Sequence, residues 1–144
     1  MIEWRYDRMS MQKQLLVVLL IALGLVGLWF MKQDSTANHL NGVLRADPAI
    51  QAYPYNFHVM KFENGVATMS TPRSPQVSVL HFFTYAFPKL DTSNPDSPSV
   101  IQAQKQLSEV QEKAAKIVKS QPNVKEIQWE IDKDWYKSHG ILVD

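Results

Sequence analysis

An uncharged apolar run near the N-terminus constrains this chain more than any other feature. Residues 15–31 read LLVVLLIALGLVGLWFM and include no charged side chain. At ~1.5 Å of rise per residue, a helix of that length spans about 25 Å, close to the ~30 Å hydrocarbon thickness of a bilayer. Gln14 and Trp29 suit the two interfaces of such a span. The run therefore predicts a transmembrane helix over 14–31, with a small domain tied to the membrane.

The basic residues that flank the run predict its orientation. Arg5, Arg8 and Lys13 precede it, whereas Lys32 is the one basic residue that follows it closely. An excess of Lys and Arg on the short leading segment places that segment in the cytoplasm. We therefore expect a single-pass signal anchor with the N-terminus in the cytoplasm and the C-terminal domain exported. The expected segments are a cytoplasmic stretch 1–13, an anchor 14–31, a linker 32–37 and an exported domain 38–144.

A cleaved signal peptide is the alternative to a retained anchor. Ser35, Thr36 and Ala37 resemble a small-residue cleavage site, with the cut after Ala37. The apolar run is longer than the usual signal-peptide core, and Trp29 is bulky close to the cut, which favours retention. Both alternatives deliver residues 38–144 to the same compartment.

Charge and cysteine content exclude several classes of partner and chemistry. The chain holds 15 Lys and Arg against 14 Asp and Glu; three and two of these lie in the first 31 residues, so 12 of each remain. A neutral domain has no overall positive field to attract nucleic acid, so we expect no such partner. The chain has no cysteine, which excludes disulfides and thiolate metal sites.

The clearest local signal is a hairpin. Apolar and polar residues alternate on both sides of Asn64-Gly65. This dipeptide favours a type I′ turn, because both central residues of that turn need positive φ. A two-residue loop here pairs Phe62 with Ala67 and Met60 with Met69 on one apolar face. The opposite, polar face then carries Lys61, Glu63, Thr68 and Ser70.

A helix is predicted after Ser97. Ser97 can cap the helix, Pro98 suits its first position, and Pro122 ends it. Apolar residues recur at steps of three and four, which is typical of a helix lying on a sheet, with a coiled-coil surface as the alternative. The predicted stripe comprises Val100, Ala103, Leu107, Val110, Ala114 and Ile117.

The remaining elements complete an α+β fold. A short helix is predicted over 39–45. A strand is predicted over 125–132, where Ile127, Trp129 and Ile131 alternate with polar residues. The resulting order is helix, strand, strand, helix, strand, for which helices on one face of a small mixed sheet are the economical packing.

Residues 72–98 form an aromatic insert in this pattern. Residues 77–88 fit both a helical and a strand period, and length favours the helix, so both structures stay open. Their aromatic side chains belong either to the core or to an exposed patch for lipid or a partner protein, with basic neighbours that could meet phosphates. The candidate surface comprises Tyr53, Tyr55, Arg73, Phe82, Phe83, Tyr85, Phe87 and Lys89.

Three segments resemble a BON domain. They are VLRADPAI at 43–50, NGVATMS at 64–70, and the helix-to-strand passage 114–127. That family has the order helix, strand, strand, helix, strand and occurs in bacterial envelope proteins. The resemblance implies a domain that binds phospholipid or another envelope component. It also implies that the expected anchor lies in a bacterial inner membrane, with the C-terminal domain in the periplasm. The chain departs from the family at Thr71, where a glycine is usual, and in the insert 72–98.

No residue pattern predicts catalysis, a cofactor or a metal. The four histidines have no metal-ligand spacing, and Asp132 and Asp134 are predicted to be a solvated strand end. Ser70 and Ser74 lack the surroundings of a nucleophile. The sequence therefore predicts a non-catalytic, membrane-anchored envelope protein that binds lipid or another envelope component. A structural subunit of a multiprotein inner-membrane complex is the alternative, and an anchored hydrolase the third hypothesis.

Overall fold

A computed structural model describes residues 10–144 of the chain, so Arg5 and Arg8 of the orientation argument lie outside the described residues. In this part of the chain the fold is α+β, as predicted. The elements are α1 (Met11–Arg45), α2 (Pro48–Ala52), β1 (Val59–Glu63), β2 (Val66–Thr71), α3 (Val79–Ala86), α4 (Pro98–Lys119), β3 (Glu126–Ile131) and α5 (Lys133–Ser138).

Helix α1 runs without interruption from the apolar run into the domain, over 35 residues. The expected linker 32–37 is helical, and the short helix predicted over 39–45 forms the last turns of α1. The physical reason is tertiary packing: Leu40 and Leu44 are each 1% exposed and belong to the core, with Ala37 packed against it. Such burial stabilises helix in a polar stretch of modest helix propensity.

The three strands form one mixed sheet in the order β1-β2-β3. β1 and β2 pair antiparallel, and β2 and β3 pair in parallel. Asn64 and Gly65 have φ of 51° and 82°, the positive values that a type I′ turn requires. The predicted pairing of Phe62 with Ala67 is confirmed.

The second predicted pair of the hairpin is wrong. Val59, not Met60, lies opposite Met69, because a β-bulge interrupts the register between Val59 and Lys61. The Met60 side chain is 38% exposed instead of joining the apolar face. Two residues of the predicted polar face, Thr68 and Ser70, are buried instead of facing solvent. The reason is that the central strand is covered on both faces.

Helix α3 settles the ambiguous segment 77–88 as helical. Ser78 caps it by accepting the N–H of Leu80. Helix α4 begins at Pro98, with Ser97 accepting the N–H of Val100, as predicted. Its buried residues are Val100, Ala103, Leu107, Ala114 and Val118, whereas Val110 and Ile117 of the predicted stripe are only partly buried.

Candidate functional site

The N-terminal half of α1 is long and apolar enough to span a membrane. Within residues 10–144, α1 is the one helix long and apolar enough to cross a membrane, and none of its apolar stretch is buried in the protein. A helix of a soluble domain hides its apolar side chains in a core, whereas a membrane-spanning helix exposes them to lipid tails.

The C-terminal half of α1 is joined to the sheet by Asn41. Its Oδ1 accepts the backbone N–H of Val59 at 2.6 Å, and its Nδ2 donates to the carbonyl of Val59 at 3.0 Å. Both polar groups of Val59 are thereby satisfied where the bulge interrupts β1. The helix that carries the apolar run is therefore part of the domain and does not lead into it through a flexible tether.

The hairpin turn lies beside the end of the apolar run. There, α1 on one side and the loops at Asn64-Gly65 and before β3 on the other enclose a groove of about 330 Å³. We call it the proximal groove. Its lining residues are Trp29, Lys32, Gln33, Thr36, Phe62, Asn64, Gly65, Asn123 and Lys125.

The backbone of the proximal groove is fixed at the hairpin turn. The carbonyl of Gly65 accepts the N–H groups of Lys125 and Glu126 at 2.7 and 3.2 Å. The ammonium group of Lys119 donates a hydrogen bond to the carbonyl of Lys125. Asn123 has a positive φ of 69°, which turns the chain back toward the hairpin. Hydrogen bonds to the rest of the domain therefore hold the loop before β3 in place.

The lysine stem in the groove packs on a glycine. A Cβ placed on Gly65 would lie 2.9 Å from Cδ of Lys125. Only glycine lets the Lys125 stem pass this close to the turn, and glycine also suits the positive φ there. The middle of the Lys125 stem therefore lies against the turn, although the side chain as a whole is exposed.

The electrostatics of the groove are one-sided. Its described lining includes two cations, Lys32 and Lys125, and no carboxylate. Gln33 adds a buried Oε1 that has no hydrogen-bond partner within residues 10–144.

The aromatic insert lies at the opposite end of the domain. Strand β2 leads away from the hairpin turn for six residues, or about 20 Å. Pro72, the next residue after it, accepts the hydroxyl of Tyr136 in α5 through its carbonyl. We call this end of the domain, which holds α3 and α5, the distal end.

The predicted lipid or partner surface is corrected for its four buried members. Tyr53, Tyr55, Phe82 and Phe83 are 7%, 1%, 0% and 0% exposed and form core. The rings of Tyr55 and Phe82 lie 5.8 Å apart in an edge-to-face contact. Helix α3 turns Phe82 and Phe83 inward, where their large apolar rings close this end of the sheet.

The other members of that set are not gathered into one patch. Tyr85 is 43% exposed and Lys89 is exposed, whereas Phe87 is half-buried against the core. Arg73 is exposed, and its Nη1 donates to Ser108 Oγ in α4 at 3.2 Å.

An aromatic cluster that sequence reasoning missed surrounds Tyr85. The ring of Trp135 lies 6.4 Å from Tyr85 and 4.1 Å from His139. Trp135 lies within the short helix α5 and His139 is the residue at its C-terminal cap; this helix was not predicted. The available signal was Asp132, whose carboxylate caps that helix by accepting the N–H of Trp135 at 2.9 Å.

Asp132 corrects the prediction of a solvated strand end. It is 7% exposed, and its second carboxylate oxygen accepts the hydroxyl of Tyr55 at 2.9 Å. Burial raises the pKa of Tyr55 above its ordinary value, so this hydroxyl keeps its proton and donates. Asp132 is therefore occupied by structural hydrogen bonds, whereas Asp134 is exposed.

One Ser–His contact is present, and it is structural. Ser70 Oγ lies 3.0 Å from Nδ1 of His58 and also accepts the backbone N–H of His58 at 3.0 Å. The same Nδ1 lies 3.0 Å from the carbonyl of Asn56, which can only accept. A nitrogen that donates to a carbonyl has no lone pair left to take a serine proton, and Ser70 is 0% exposed.

Metal ligands are not grouped in the described part of the chain. Among residues 10–144, no three His, Cys, Asp or Glu side chains are placed to hold one ion.

No family model, curated protein or solved structure matches this chain. The resemblance to BON domains therefore stays a prediction.

Proposed function

We propose that this chain is a non-catalytic, single-pass protein of a bacterial inner membrane whose periplasmic, BON-like domain binds a component of the envelope at the membrane surface. The observation that carries the proposal is the continuity of α1, one helix of 35 residues that is apolar and unburied in one half and part of the core in the other.

A rigid connection sets where the domain works. From Lys32 to Thr36 the helix rises about 6 Å, which is comparable to the ~5–8 Å that each headgroup layer adds to the hydrocarbon core. The residues of the proximal groove on α1 then lie at headgroup depth. The domain rests on the bilayer with its hairpin turn toward the lipid and cannot swing far from it.

The position of the distal end argues against lipid of the same bilayer as the ligand of the aromatic insert. That end lies about 20 Å from the hairpin turn, measured along β2. Lipid contacts of the anchored chain therefore belong to the proximal groove, and a different envelope component would meet Tyr85.

Membrane extraction and protease accessibility of the full chain in a Gram-negative host test the proposal. We expect the chain to stay with membranes in alkaline carbonate, and protease to digest the domain in spheroplasts but not in intact cells. A control with Leu20→Arg and Leu23→Arg interrupts the apolar run and should be released by carbonate, because charges at the centre of a span are costly.

Carbonate could instead release the unaltered chain, with a molecular mass that matches residues 38–144. That result would contradict the anchor and establish cleavage of a signal peptide after Ala37. Digestion in inverted vesicles but not in spheroplasts would instead reverse the orientation.

A second candidate function is a subunit of a multiprotein membrane complex. The observation that favours it is the aromatic cluster of Tyr85, Trp135 and His139 at the distal end, in which Tyr85 and His139 are exposed and Trp135 is half-buried. Purification in mild detergent should then recover partner proteins in stoichiometric amounts, and Tyr85→Ser should lose them. A monodisperse chain without partners would count against it.

A further inference from the structure

We propose that the outer edge of β3 binds an extended segment of a partner protein as a fourth strand of the sheet, and that this segment alternates apolar with basic residues. The inference deepens the proposed function, because it names the kind of envelope component that the domain takes. It rests on the proposed anchoring where it excludes a second copy of the chain as the occupant.

The outward backbone groups of β3 have no partner strand among residues 10–144, since β3 ends the sheet. Asp132, which follows the strand, donates its N–H to the carbonyl of Thr71 in β2 at 2.9 Å. The backbone groups of successive residues point to opposite edges of a strand, so the even-numbered residues of β3 face β2. The residues whose N–H and C=O groups face outward are Ile127, Trp129 and Ile131. Such a row of groups is a template for another strand.

The edge of β1 is blocked, whereas the edge of β3 is open. At β1, Asn41 in α1 binds both backbone groups of Val59, and a β-bulge interrupts the strand. Strand β3 has no bulge, proline, glycine or lysine, which are the usual means of protecting an exposed edge. Its 6 residues are all exposed or only partly buried. A further strand can therefore join the sheet at β3.

A groove beside the open edge has room for the apolar side chains of a fourth strand. It has a volume of about 400 Å³ and lies between Ile127 of β3 and the C-terminal part of α4. The lining residues on the α4 side are Glu112, Ala115, Lys116, Lys119 and Ser120. Glu112 pairs with Lys116 at 3.1 Å, and the Lys119 ammonium donates to a backbone carbonyl. The charges of this wall are thus engaged within the domain, which suits the groove to apolar side chains.

The other face of β3 favours basic residues in the incoming segment. Side chains alternate between the faces of a strand, so Glu126, Gln128 and Glu130 share the face opposite Ile127. All three are exposed, and neither carboxylate forms an ion pair within residues 10–144. Directly opposite residues of neighbouring strands share a face, where opposite charges stabilise the pairing. The segment should therefore place lysine or arginine beside the two glutamates and apolar residues beside Ile127.

A second copy of the chain does not fit this edge within one bilayer. The end of β1 lies near Thr36, and its start is bonded to Asn41 farther along α1, so β1 runs antiparallel to α1. β3 is antiparallel to β1 and therefore runs in the same direction as α1. Two-fold symmetry would pair two β3 strands antiparallel, because the staggered hydrogen bonds of parallel strands lack that symmetry. The two α1 helices would then point in opposite directions, which two anchors inserted in the same orientation cannot do.

Binding of synthetic peptides to the full chain in non-ionic detergent tests the inference. The probe, called the lysine peptide, has about eight residues of alternating valine and lysine with blocked ends. One control has the same side chains and a methyl group on every backbone nitrogen, and a second control replaces lysine with glutamate. We expect the lysine peptide to bind at least about tenfold more tightly than either control in calorimetric titrations.

Hydrogen exchange locates the bound peptide. The outward N–H groups of Ile127, Trp129 and Ile131 face solvent in the chain alone and should become protected when the lysine peptide binds. The N-methylated peptide should leave their exchange unchanged.

Two matched pairs of variants separate the contributions of the backbone and the charges. Trp129→Pro and Trp129→Val both lose the indole ring, but only proline also removes the outward N–H, a change that an edge strand tolerates. Trp129→Pro should bind the lysine peptide at least about fivefold more weakly than Trp129→Val. Glu126→Gln with Glu130→Gln should abolish the preference for lysine over glutamate. Asp96→Asn with Glu109→Gln, at exposed positions in other parts of the chain, should keep it.

Three results would overturn the inference. They are equal binding of the lysine peptide and its N-methylated form, unchanged exchange of the outward N–H groups in the complex, and an efficient disulfide between two copies of Gln128→Cys in the bilayer. The last result would make a second copy the occupant of the edge. If Trp129→Pro unfolds, the N-methylated peptide decides the question with the unaltered chain.

Carbonate extraction separates this inference from the proposed function. A chain that stays in the membrane but does not bind the lysine peptide keeps the anchor and loses the docking edge. A chain that carbonate releases and that still binds the peptide loses the anchor and keeps the docking edge. The disulfide test with Gln128→Cys then distinguishes a partner segment from a second copy.

Discussion

At the scale of single residues, a few polar side chains hold the anchor, the sheet and the distal helices together. Asn41 joins α1 to β1 through both of its amide atoms. Asp132 joins α5 to Tyr55, and Tyr136 donates to the carbonyl of Pro72. All of these bonds involve buried or partly buried groups, so removing one partner leaves another group without a hydrogen bond.

Asn41→Ala should destabilise the domain by about 2–4 kcal/mol, because both the N–H and the carbonyl of Val59 lose their partner. Thermal or urea unfolding of the full chain in detergent, followed by circular dichroism, measures the loss. Asn38→Ala is the matched control, since Asn38 is exposed on the same helix. Equal stability of the two variants would show that the Asn41 bonds contribute nothing net.

Stability should fall at high pH through buried tyrosines. Burial raises the pKa of Tyr136 to about 12, from an ordinary value of 10.0. The folded form keeps this proton longer than the unfolded form. Its contribution is therefore complete below pH ~10 and is lost, at up to about 1.4 kcal/mol per pH unit, as pH rises to about 12.

Unfolding midpoints between neutral and strongly alkaline pH check the tyrosine contribution. Tyr136→Phe should show a shallower decline than the unaltered chain above pH ~10. The prediction is wrong if the two pH profiles run parallel throughout.

At the scale of elements, α1 and the hairpin determine how the domain meets the membrane in the proposed arrangement. α1 supplies the apolar run, one wall of the proximal groove and two core leucines, Leu40 and Leu44. The hairpin turn supplies the opposite wall. Changes within these two elements should therefore alter the orientation of the domain or the shape of the groove while the distal end stays folded.

Ser35→Pro should break the rigid connection. Proline removes a helical hydrogen bond and clashes with the preceding turn, at a cost of about 3 kcal/mol in a helix interior. Because the chain has no cysteine, two introduced cysteines carry spin labels uniquely, one in the apolar run and one in the domain. The distance distribution between them should broaden in Ser35→Pro and stay narrow in Ser35→Ala. A narrow distribution in both variants would contradict a rigid role for this part of α1.

Gly65→Ala should destabilise the domain more than the same change at a glycine with open space around it. A methyl group at Gly65 would meet the Lys125 stem at 2.9 Å. Gly140→Ala is the control, because Gly140 also has positive φ, 77°, but a Cβ there has no neighbour within 4 Å. Both variants should lose about 1 kcal/mol to backbone strain, and Gly65→Ala should lose more, as urea unfolding measures. Equal losses would show that the Lys125 stem moves aside at no cost.

At the scale of the whole molecule, the two ends of the domain have different chemistry. The proximal groove is cationic and polar, whereas the distal end carries the aromatic cluster of Tyr85, Trp135 and His139. In the proposed orientation, the hairpin turn lies at the bilayer and the aromatic cluster lies at the far end of the domain.

Single fluorescent labels should show which end of the domain lies near the lipid headgroups. A label on an introduced cysteine at Asn64 should be quenched by lipids that carry a nitroxide on the headgroup. The same label at Lys89 should be quenched much less, because it lies at the distal end. Similar quenching at both positions would mean that the domain lies on its side.

Several features follow from sequence alone because their causes are local. The apolar run 15–31 needs only its own length and lack of charge to predict a span. The hairpin at Asn64-Gly65 follows from the positive φ that these residues tolerate, and α4 follows from its cap and its helical period. With the closing strand, these elements are enough for the α+β class.

Tertiary packing decided what those local rules leave open. The polar stretch 32–37 is helical because Leu40 and Leu44, farther along α1, are buried in the core. A β-bulge displaces Met60 from its predicted partner. The backbone N–H of Val59 at that bulge donates to Asn41, which is distant in sequence. The aromatic side chains of α3 point inward because the far end of the sheet needs closing. The groove that unites Lys32 with Lys125 exists only once the chain has folded, since long-range contacts, and no local propensity, bring its walls together.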